Sequence, residues 1–159
     1  MVRPIRPEDG PQHRAFAEQL APGDLRLRFF YTRRELPKSE LARLTQIDYA
    51  REMAFVAVRK RPDGADETIG VVRAVTDPDN VDAEFAIIVR SDLKRRGLGR
   101  LLLAKMIDFL HGKGTQRVVG HVLRENEAMR KLATDAGFVL DPAGADDDTV
   151  RLVKTFAHP

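Results

Sequence analysis

The sequence contains no cysteine. That excludes disulfides, thiolate-zinc sites and any reaction passing through an acyl-cysteine, and it fits a reducing compartment. Serine is almost as scarce: Ser39 and Ser91 stand alone, and neither sits in the G-x-S-x-G turn that would expose a nucleophilic hydroxyl. No apolar run approaches the length needed to span a bilayer. The opening stretch MVRPIRPEDG has neither the apolar core of a signal peptide nor the Arg/Ser-rich, acid-poor character of a transit peptide. A cytoplasmic location without a membrane partner is therefore expected. A strong charge imbalance is missing too. Lys+Arg 27 stand against Asp+Glu 24, a net charge of +3, so the sequence pI of 9.4 reflects a small excess and not a basic field. Nucleic acid is not an expected partner. Internal repeats, low-complexity tracts and linkers are absent as well. With 159 residues, 43% hydrophobic and 32% charged, the composition is that of one globular domain spanning 1–159.

What is present reads as an α/β (α+β) mixture. Val2 to Arg6 alternates apolar and basic residues as an exposed strand does, and Glu8, Asp9 and Pro11 supply helix-start chemistry ahead of Phe16 and Leu20. Pro22 and Gly23 end that helix. A second helix begins near Leu25, and a third, from Lys38, sets Leu41, Leu44 and Ile47 on one face. Three strands follow, Met53 to Val58, Thr68 to Val75 and Ala83 to Val89, separated by turns at Gly64 and at Asp77-Pro78-Asp79-Asn80. From Gly97 the period becomes helical, with Leu98, Leu101, Leu102, Met106, Phe109 and Leu110 expected on the buried side until Gly112 and Gly114. Val118 to Leu123 is a strand, Asn126 to Ala136 a short helix closed by Gly137, and Phe138 to Leu140 with Thr149 to Phe156 a final strand pair. The loop Asp141 to Asp148 is acidic and expected to be mobile.

The chemistry concentrates in Val89-Arg90-Ser91-Asp92-Leu93-Lys94-Arg95-Arg96-Gly97-Leu98-Gly99-Arg100, an apolar strand turning through basic and glycine residues straight into a helix. Such a turn presents free backbone N–H groups and the positive end of a helix dipole. Glycines at 97 and 99 let the chain approach a bulky anion, and Lys94, Arg95, Arg96 and Arg100 add positive charge. A pyrophosphate fits that description. Other phosphate motifs fit less well: a dinucleotide fingerprint needs a third glycine where Leu102 stands, and Gly112-Lys113-Gly114-Thr115 lacks the Lys-Ser/Thr of a P-loop. A solvated basic helix start is the plain alternative.

This segment resembles the pyrophosphate signature of the GNAT superfamily of N-acetyltransferases, Q/R-x-x-G-x-G/A after a fourth strand, with Lys94 at the Q/R position. Downstream, Asn126 and Gly137-Phe138 are similar to the N…GF pattern around that family's fourth helix. Leu27-Arg28-Phe29-Phe30, Leu44-Thr45-Gln46-Ile47-Asp48-Tyr49 and Glu52-Met53-Ala54-Phe55-Val56-Ala57 resemble the GNAT module of bacterial Pat-type protein lysine acetyltransferases. The resemblance implies a mixed central sheet of about six to seven strands flanked by helices, acetyl-CoA as cosubstrate, no metal, and a lysine on a metabolic enzyme such as an acyl-CoA synthetase as acceptor. In the Pat group the module is attached to a regulatory or acyl-CoA-synthetase-like region that these residues do not contain, so the chain is expected to be an excised domain or a single-domain relative. The resemblance also assigns roles: Ile87, Ile88 and Val89 pair with the pantetheine amides as an added strand; Lys94, Arg95, Arg96, Gly97, Leu98, Gly99 and Arg100 hold the pyrophosphate; Asn126 contacts the pantetheine or sulfur side. Many relatives carry a tyrosine acid seven residues after that asparagine. Here the position is Ala133, and water is expected to protonate the thiolate.

A lysine amine, with a reference pKa of about 10.4, must lose a proton before it attacks a thioester at neutral pH. Glu84 is the candidate base. It interrupts the apolar run Ala83 to Val89, where partial desolvation would raise a carboxylate's pKa, and a glutamate on the fourth strand is the base in several lysine-acetylating relatives. The plain alternative is a strand carboxylate paired with an arginine. Transfer is expected to be direct, in a ternary complex, with strand-four N–H groups steadying the oxyanion. A small-molecule amine acetyltransferase and a non-catalytic acyl-CoA sensor remain open beside the protein acetyltransferase. His13, His111, His121 and His158 show no metal-ligand spacing and read as scattered surface histidines. Asp48, Glu52 and the run Asp146 to Asp148 read as solvated charge that could attract a basic target, and Phe29-Phe30 as core or cleft wall.

Overall fold

The computed structural model describes residues 1–18, 51–90, 97–144 and 148–156. The helices expected near Leu25 and from Lys38, and the helix end at Pro22-Gly23, lie outside these residues. The described residues form seven strands, β1 (Val2–Pro4), β2 (Glu52–Lys60), β3 (Asp66–Thr76), β4 (Asp82–Val89), β5 (Arg117–Leu123), β6 (Val139–Asp141) and β7 (Thr149–Thr155). Three α-helices accompany them: α1 (Gly10–Glu18), α2 (Leu98–Gly112) and α3 (Glu127–Asp135). All seven strands join one sheet in the order β1-β2-β3-β4-β5-β7-β6. Every neighbouring pair is antiparallel except β4 and β5, which run parallel through the α2 crossover. No helix among the described residues is long and apolar enough to cross a membrane.

Side-chain alternation along the strands divides the core in two. Phe55, Ala57, Val72, Ala74, Ala83, Phe85, Ile87, Val118 and Val122 point to the face covered by Leu102, Leu103, Met106 and Leu110 of α2 and by Ala133 of α3. Ala54, Val56, Val58, Val71 and Ile88 point to the other, where Ile5 and Phe16 of α1 pack. The phase of α2 differs from expectation at one place: Leu101 is 56% exposed, and Leu103, at 1%, fills the core instead. The row Leu103, Met106 and Leu110 sits three and four residues apart, which puts Leu101 outside the stripe.

Most boundaries moved by a residue or two. β2 and β3 run longer than expected because charged pairs on their ends, Arg59 with Glu67 and Lys60 with Asp66, continue the ladder past the apolar stretch. β1 is shorter, ending at Pro4, although the Ile5 N–H still donates to the Ala54 carbonyl at 2.9 Å. The acidic segment expected as a loop begins with structure. β6 extends to Asp141, whose carboxylate takes hydrogen bonds from the Ala143 N–H and the Arg151 guanidinium, and a short 3-10 turn covers Pro142–Gly144. At the closed end of the sheet, Asn80 ties the β3–β4 turn to the α2–β5 connection. Its amide nitrogen donates to the Lys113 carbonyl at 3.0 Å and its oxygen accepts from the buried Thr115 hydroxyl at 2.7 Å.

Asp9 organises the amino-terminal entry. Its carboxylate accepts two bonds from the Arg3 guanidinium, both 2.8 Å, and one from the Arg6 backbone N–H at 2.7 Å, just before α1. Burial pushes its pKa up, but the hydrogen bond from Arg3, that from the Arg6 N–H and the charge of Arg3 outweigh it and hold the carboxyl below its ordinary 3.8. The folded-state pKa being depressed, the stabilisation is present above that ordinary value and is lost as pH falls through the lower folded one. Asp9→Asn should therefore cost about 2 kcal/mol at pH 7, read by urea denaturation. Wild type and variant should converge in stability in strongly acidic buffer.

Candidate functional site

The parallel pair β4 and β5 is unusual in being joined over only part of its length. Its register runs from Asp82↔Arg117 through Ala83↔Val118 and Glu84↔Val119 to Phe85↔Gly120 and there stops. β4 continues through Ala86, Ile87, Ile88 and Val89, paired to β3 on its other side. β5 continues through His121, Val122 and Leu123, paired to β7. The two strands thus part after Phe85 and Gly120 and leave facing rows of backbone N–H and C=O groups that need partners. An extended ligand bearing amides could enter as an inserted strand. Gly120 makes the vertex possible: a Cβ there would lie 2.4 Å from the Phe85 ring, which also tilts against Phe138 with centroids 5.2 Å apart.

The expected strand residues lie along this gap. The side chains of Ile87 and Ile88 are buried on opposite faces, 6% and 8% exposed, so both anchor β4 and leave its main chain to face the gap. Val89 is half-buried against the α2 side. Beyond it the expected pyrophosphate turn is described from Gly97 onward; Lys94, Arg95 and Arg96 lie outside the described residues. Gly97 caps α2 at φ 82, a left-handed conformation open to glycine at little cost. The first intrahelical bond comes from the Leu101 N–H to the Gly97 carbonyl, 3.1 Å, so the N–H groups of Leu98, Gly99 and Arg100 point out of the helix start toward any anion there. Gly99 lets α2 approach α3, since a Cβ there would stand 3.2 Å from Leu132 Cδ2. The half-buried Leu98 side chain packs at the core edge and leaves its N–H as the group on offer. Arg100 is 76% exposed, its guanidinium 3.9 Å from the Asp135 carboxylate in a groove between α2 and α3 lined also by Leu132 and Lys154. Arg90, counted with the basic turn, is instead engaged with a neighbouring strand. Its Nη1 donates to Glu67 Oε1 at 2.7 Å, as does Arg59 Nε at 2.8 Å.

Glu84 stands at the vertex, but not as expected. It lies on the face opposite α2, and its side chain is 63% exposed, so the desolvation implied by its apolar neighbours is absent. Residues alternate in direction along a strand, and those neighbours turn toward the other side or lie further along. Among the described residues its partner is not an arginine. Glu84 Oε1 lies 3.2 Å from His121 Nδ1, across the boundary between β4 and β5. His121 is the first residue of β5 past the last paired position, which takes it out of the class of scattered surface histidines. The sequence offered one signal for it: His121 breaks the apolar strand Val118 to Leu123, as Glu84 breaks its own.

Asn126 is the N-cap of α3, its Oδ1 accepting from the Met129 N–H at 3.2 Å. This capping role is additional to the one the motif implied. Ala133, at the position of the absent tyrosine, is wholly buried in the core, and a proton donor could not be placed there without disturbing it.

The model of the acetyltransferase (GNAT) family matches residues 23–138. The chain belongs to that family. Acetyltransferase PA5475 of Pseudomonas aeruginosa is 30% identical over 159 residues, covering 99% of this chain and 83% of that protein. Among solved structures, the GNAT domain of S. lividans PAT is 27% identical with a TM-score of 0.86, covering 98% of this chain and 89% of the other. Spermidine N-acetyltransferase from Vibrio cholerae, in complex with CoA and spermine, is 20% identical with a TM-score of 0.76, covering 98% and 94%. The chain is accordingly an N-acetyltransferase that uses acetyl-CoA, and its seven-stranded mixed sheet with flanking helices is the GNAT fold.

The residues present fit that cosubstrate. Acetyl-CoA carries amides in its pantetheine arm, a pyrophosphate, and the activated acetyl group the reaction consumes. The β4 and β5 edges, unpaired with each other among the described residues, match the first, and the α2 start matches the second. Since the vertex depends on the contact between Phe85 and Gly120, Gly120→Ala should displace the ring and cost about 1–3 kcal/mol. Its dissociation constant for acetyl-CoA, measured by calorimetry, should rise several-fold while the fold persists by circular dichroism.

Proposed function

We propose that this GNAT enzyme acetylates lysine side chains of proteins, with acyl-CoA synthetases and related metabolic enzymes of the cytoplasm as its acceptors. The observation carrying this reading is the likeness to the S. lividans PAT domain along nearly the whole chain, which joins the similarity of Leu27 to Phe30, Leu44 to Tyr49 and Glu52 to Ala57 to Pat-type enzymes. The open setting of the vertex supports it as well. Glu84 and His121 are accessible from the face opposite α2, where a lysine on a protein surface could reach them.

In this reading Ile87 to Val89 bind the pantetheine amides. Gly97, Leu98, Gly99 and Arg100, with Lys94, Arg95 and Arg96, hold the pyrophosphate, and Asn126 flanks the pantetheine arm. The acceptor amine approaches the vertex in a ternary complex, and Glu84 provides the carboxylate of the base that draws off its proton. No metal or nucleic acid enters the scheme.

Thiol release from acetyl-CoA, followed with an acyl-CoA synthetase, a lysine peptide and a panel of small amines including spermidine, tests the acceptor. Turnover on the synthetase is expected, and turnover on the small amines alone would overturn the reading. Glu84→Gln should lower kcat about a hundredfold or more with acetyl-CoA binding close to wild type. Undiminished turnover would remove Glu84 from the chemistry, and acetyl-CoA binding without thiol release by the wild type would mark a sensor.

A further inference from the structure

Of the described carboxylates near the gap, Glu84 faces an imidazole and not a cation held for packing. Asp82, two residues earlier, is occupied by Arg117 at 2.6 Å. On the other side of His121, β7 places Arg151 directly opposite in register, and that guanidinium is held by Asp141 of β6. Among the described residues, the charged groups facing the ring from the neighbouring strands are Glu84 of β4 and Arg151 of β7, the second already paired. Of these two, Glu84 is left as the group that orients the ring.

We infer that Glu84 and His121 act as one base, in which Glu84 holds the ring by accepting from Nδ1–H and His121 Nε2 takes the proton of the acceptor amine. This rests on the acetyl-transfer reading and specifies the atom that receives the proton. Three observations carry it. The pair is 3.2 Å apart and bridges the two strands where they part. Glu84 lacks the burial that would make a carboxylate alone a good base at neutral pH. An imidazole has a reference pKa of about 6.5 against about 4.3 for a glutamate, so it retains a captured proton better by on the order of a hundredfold. A carboxylate on Nδ1–H also leaves the lone pair on Nε2, the tautomer a base requires. The acceptor ammonium gives one proton to Nε2, which passes it to water. The free amine nitrogen then bonds to the acetyl carbon while the carbon–sulfur bond breaks and its electron pair leaves on the CoA sulfur, and the second proton shed by nitrogen rests on Nε2 until water removes it. The thiolate is protonated from solvent.

Two measurements test this. In the 15N spectrum of the free wild-type enzyme, the neutral His121 ring should be the Nδ1–H tautomer, and it should lose that preference in Glu84→Gln. A neutral Nε2–H ring in the wild type would overturn the proposal whatever the acceptor is. The second measurement compares pH–rate profiles of wild type and His121→Gln on the synthetase, the lysine peptide and spermidine. The variant should lose about a hundredfold in kcat at pH 7, with acetyl-CoA binding and thermal stability unchanged. Its rate should keep climbing about tenfold per pH unit toward the amine's own pKa, because the amine must now arrive deprotonated. A profile of wild-type shape at reduced height would assign His121 a structural role, and full activity would remove it from the reaction. The protein-acceptor reading fails separately, by spermidine alone turning over, and the same comparison is then made on spermidine.

Discussion

Phe85 and Gly120 form the last joined position of the only parallel pair in the described sheet, and most of what matters in this protein is arranged around where that pairing stops. The ring of Phe85 occupies the volume a side chain at 120 would need, and Phe138 closes on it from behind. Past this point each strand keeps its outer neighbour, so neither loses its conformation although they no longer bond to each other. The result is a gap lined by rigid main chain. Its edges are pre-formed, so that the cost of ordering them for a strand-like ligand would be met by the sheet and not by the ligand. In the proposed reading the reacting end of an inserted cosubstrate comes to rest at the vertex, where Glu84 and His121 meet.

Much of this was legible in the sequence. Apolar β-branched runs such as Val71-Val72 and Ile87-Ile88 are buried on both faces, and they marked β3 and β4 plainly. Gly97 read correctly as a helix start because the apolar period turns helical from there. What escaped was whatever depends on long-range register. Glu84 and His121 are 37 positions apart, and their meeting follows from the parallel alignment of Glu84 with Val119, which no local pattern encodes. The burial of Glu84 was misjudged for a related reason. Its flanking residues are apolar, but strand alternation separates a residue's sequence neighbours from its spatial ones. Leu101 and Leu103 were confused because four leucines in the first turns of α2 allow more than one helical phase, and only packing against the sheet selects one.

The charged residues tell a similar story of local pairing. Arg3 with Asp9, Arg59 and Arg90 with Glu67, Arg117 with Asp82, and Arg151 with Asp141 each fasten one segment to the next. Glu67 shows the effect on a titrating group: burial pushes its pKa up, but the Arg59 hydrogen bond and the charges of Arg90 and Arg59 hold it below its usual value. The more exposed of these pairs contribute little stability in water. Those that cross strand boundaries bear more on register, where a slip of one residue would separate Arg117 from Asp82 and Arg151 from Asp141.

The bond between Asn80 and Thr115 has a bearing on the gap at the far end of the sheet. Because β4 and β5 are parallel, both strands set out from the same end, Asn80 standing just before one and Thr115 just before the other. They are like two legs of a pair of dividers riveted at the top. The rivet fixes the starting separation, Phe85 fixes where the legs begin to open, and β3 and β7 hold each leg on its course to the tips. A change at the joint would thus alter the fit of a ligand that never comes near it.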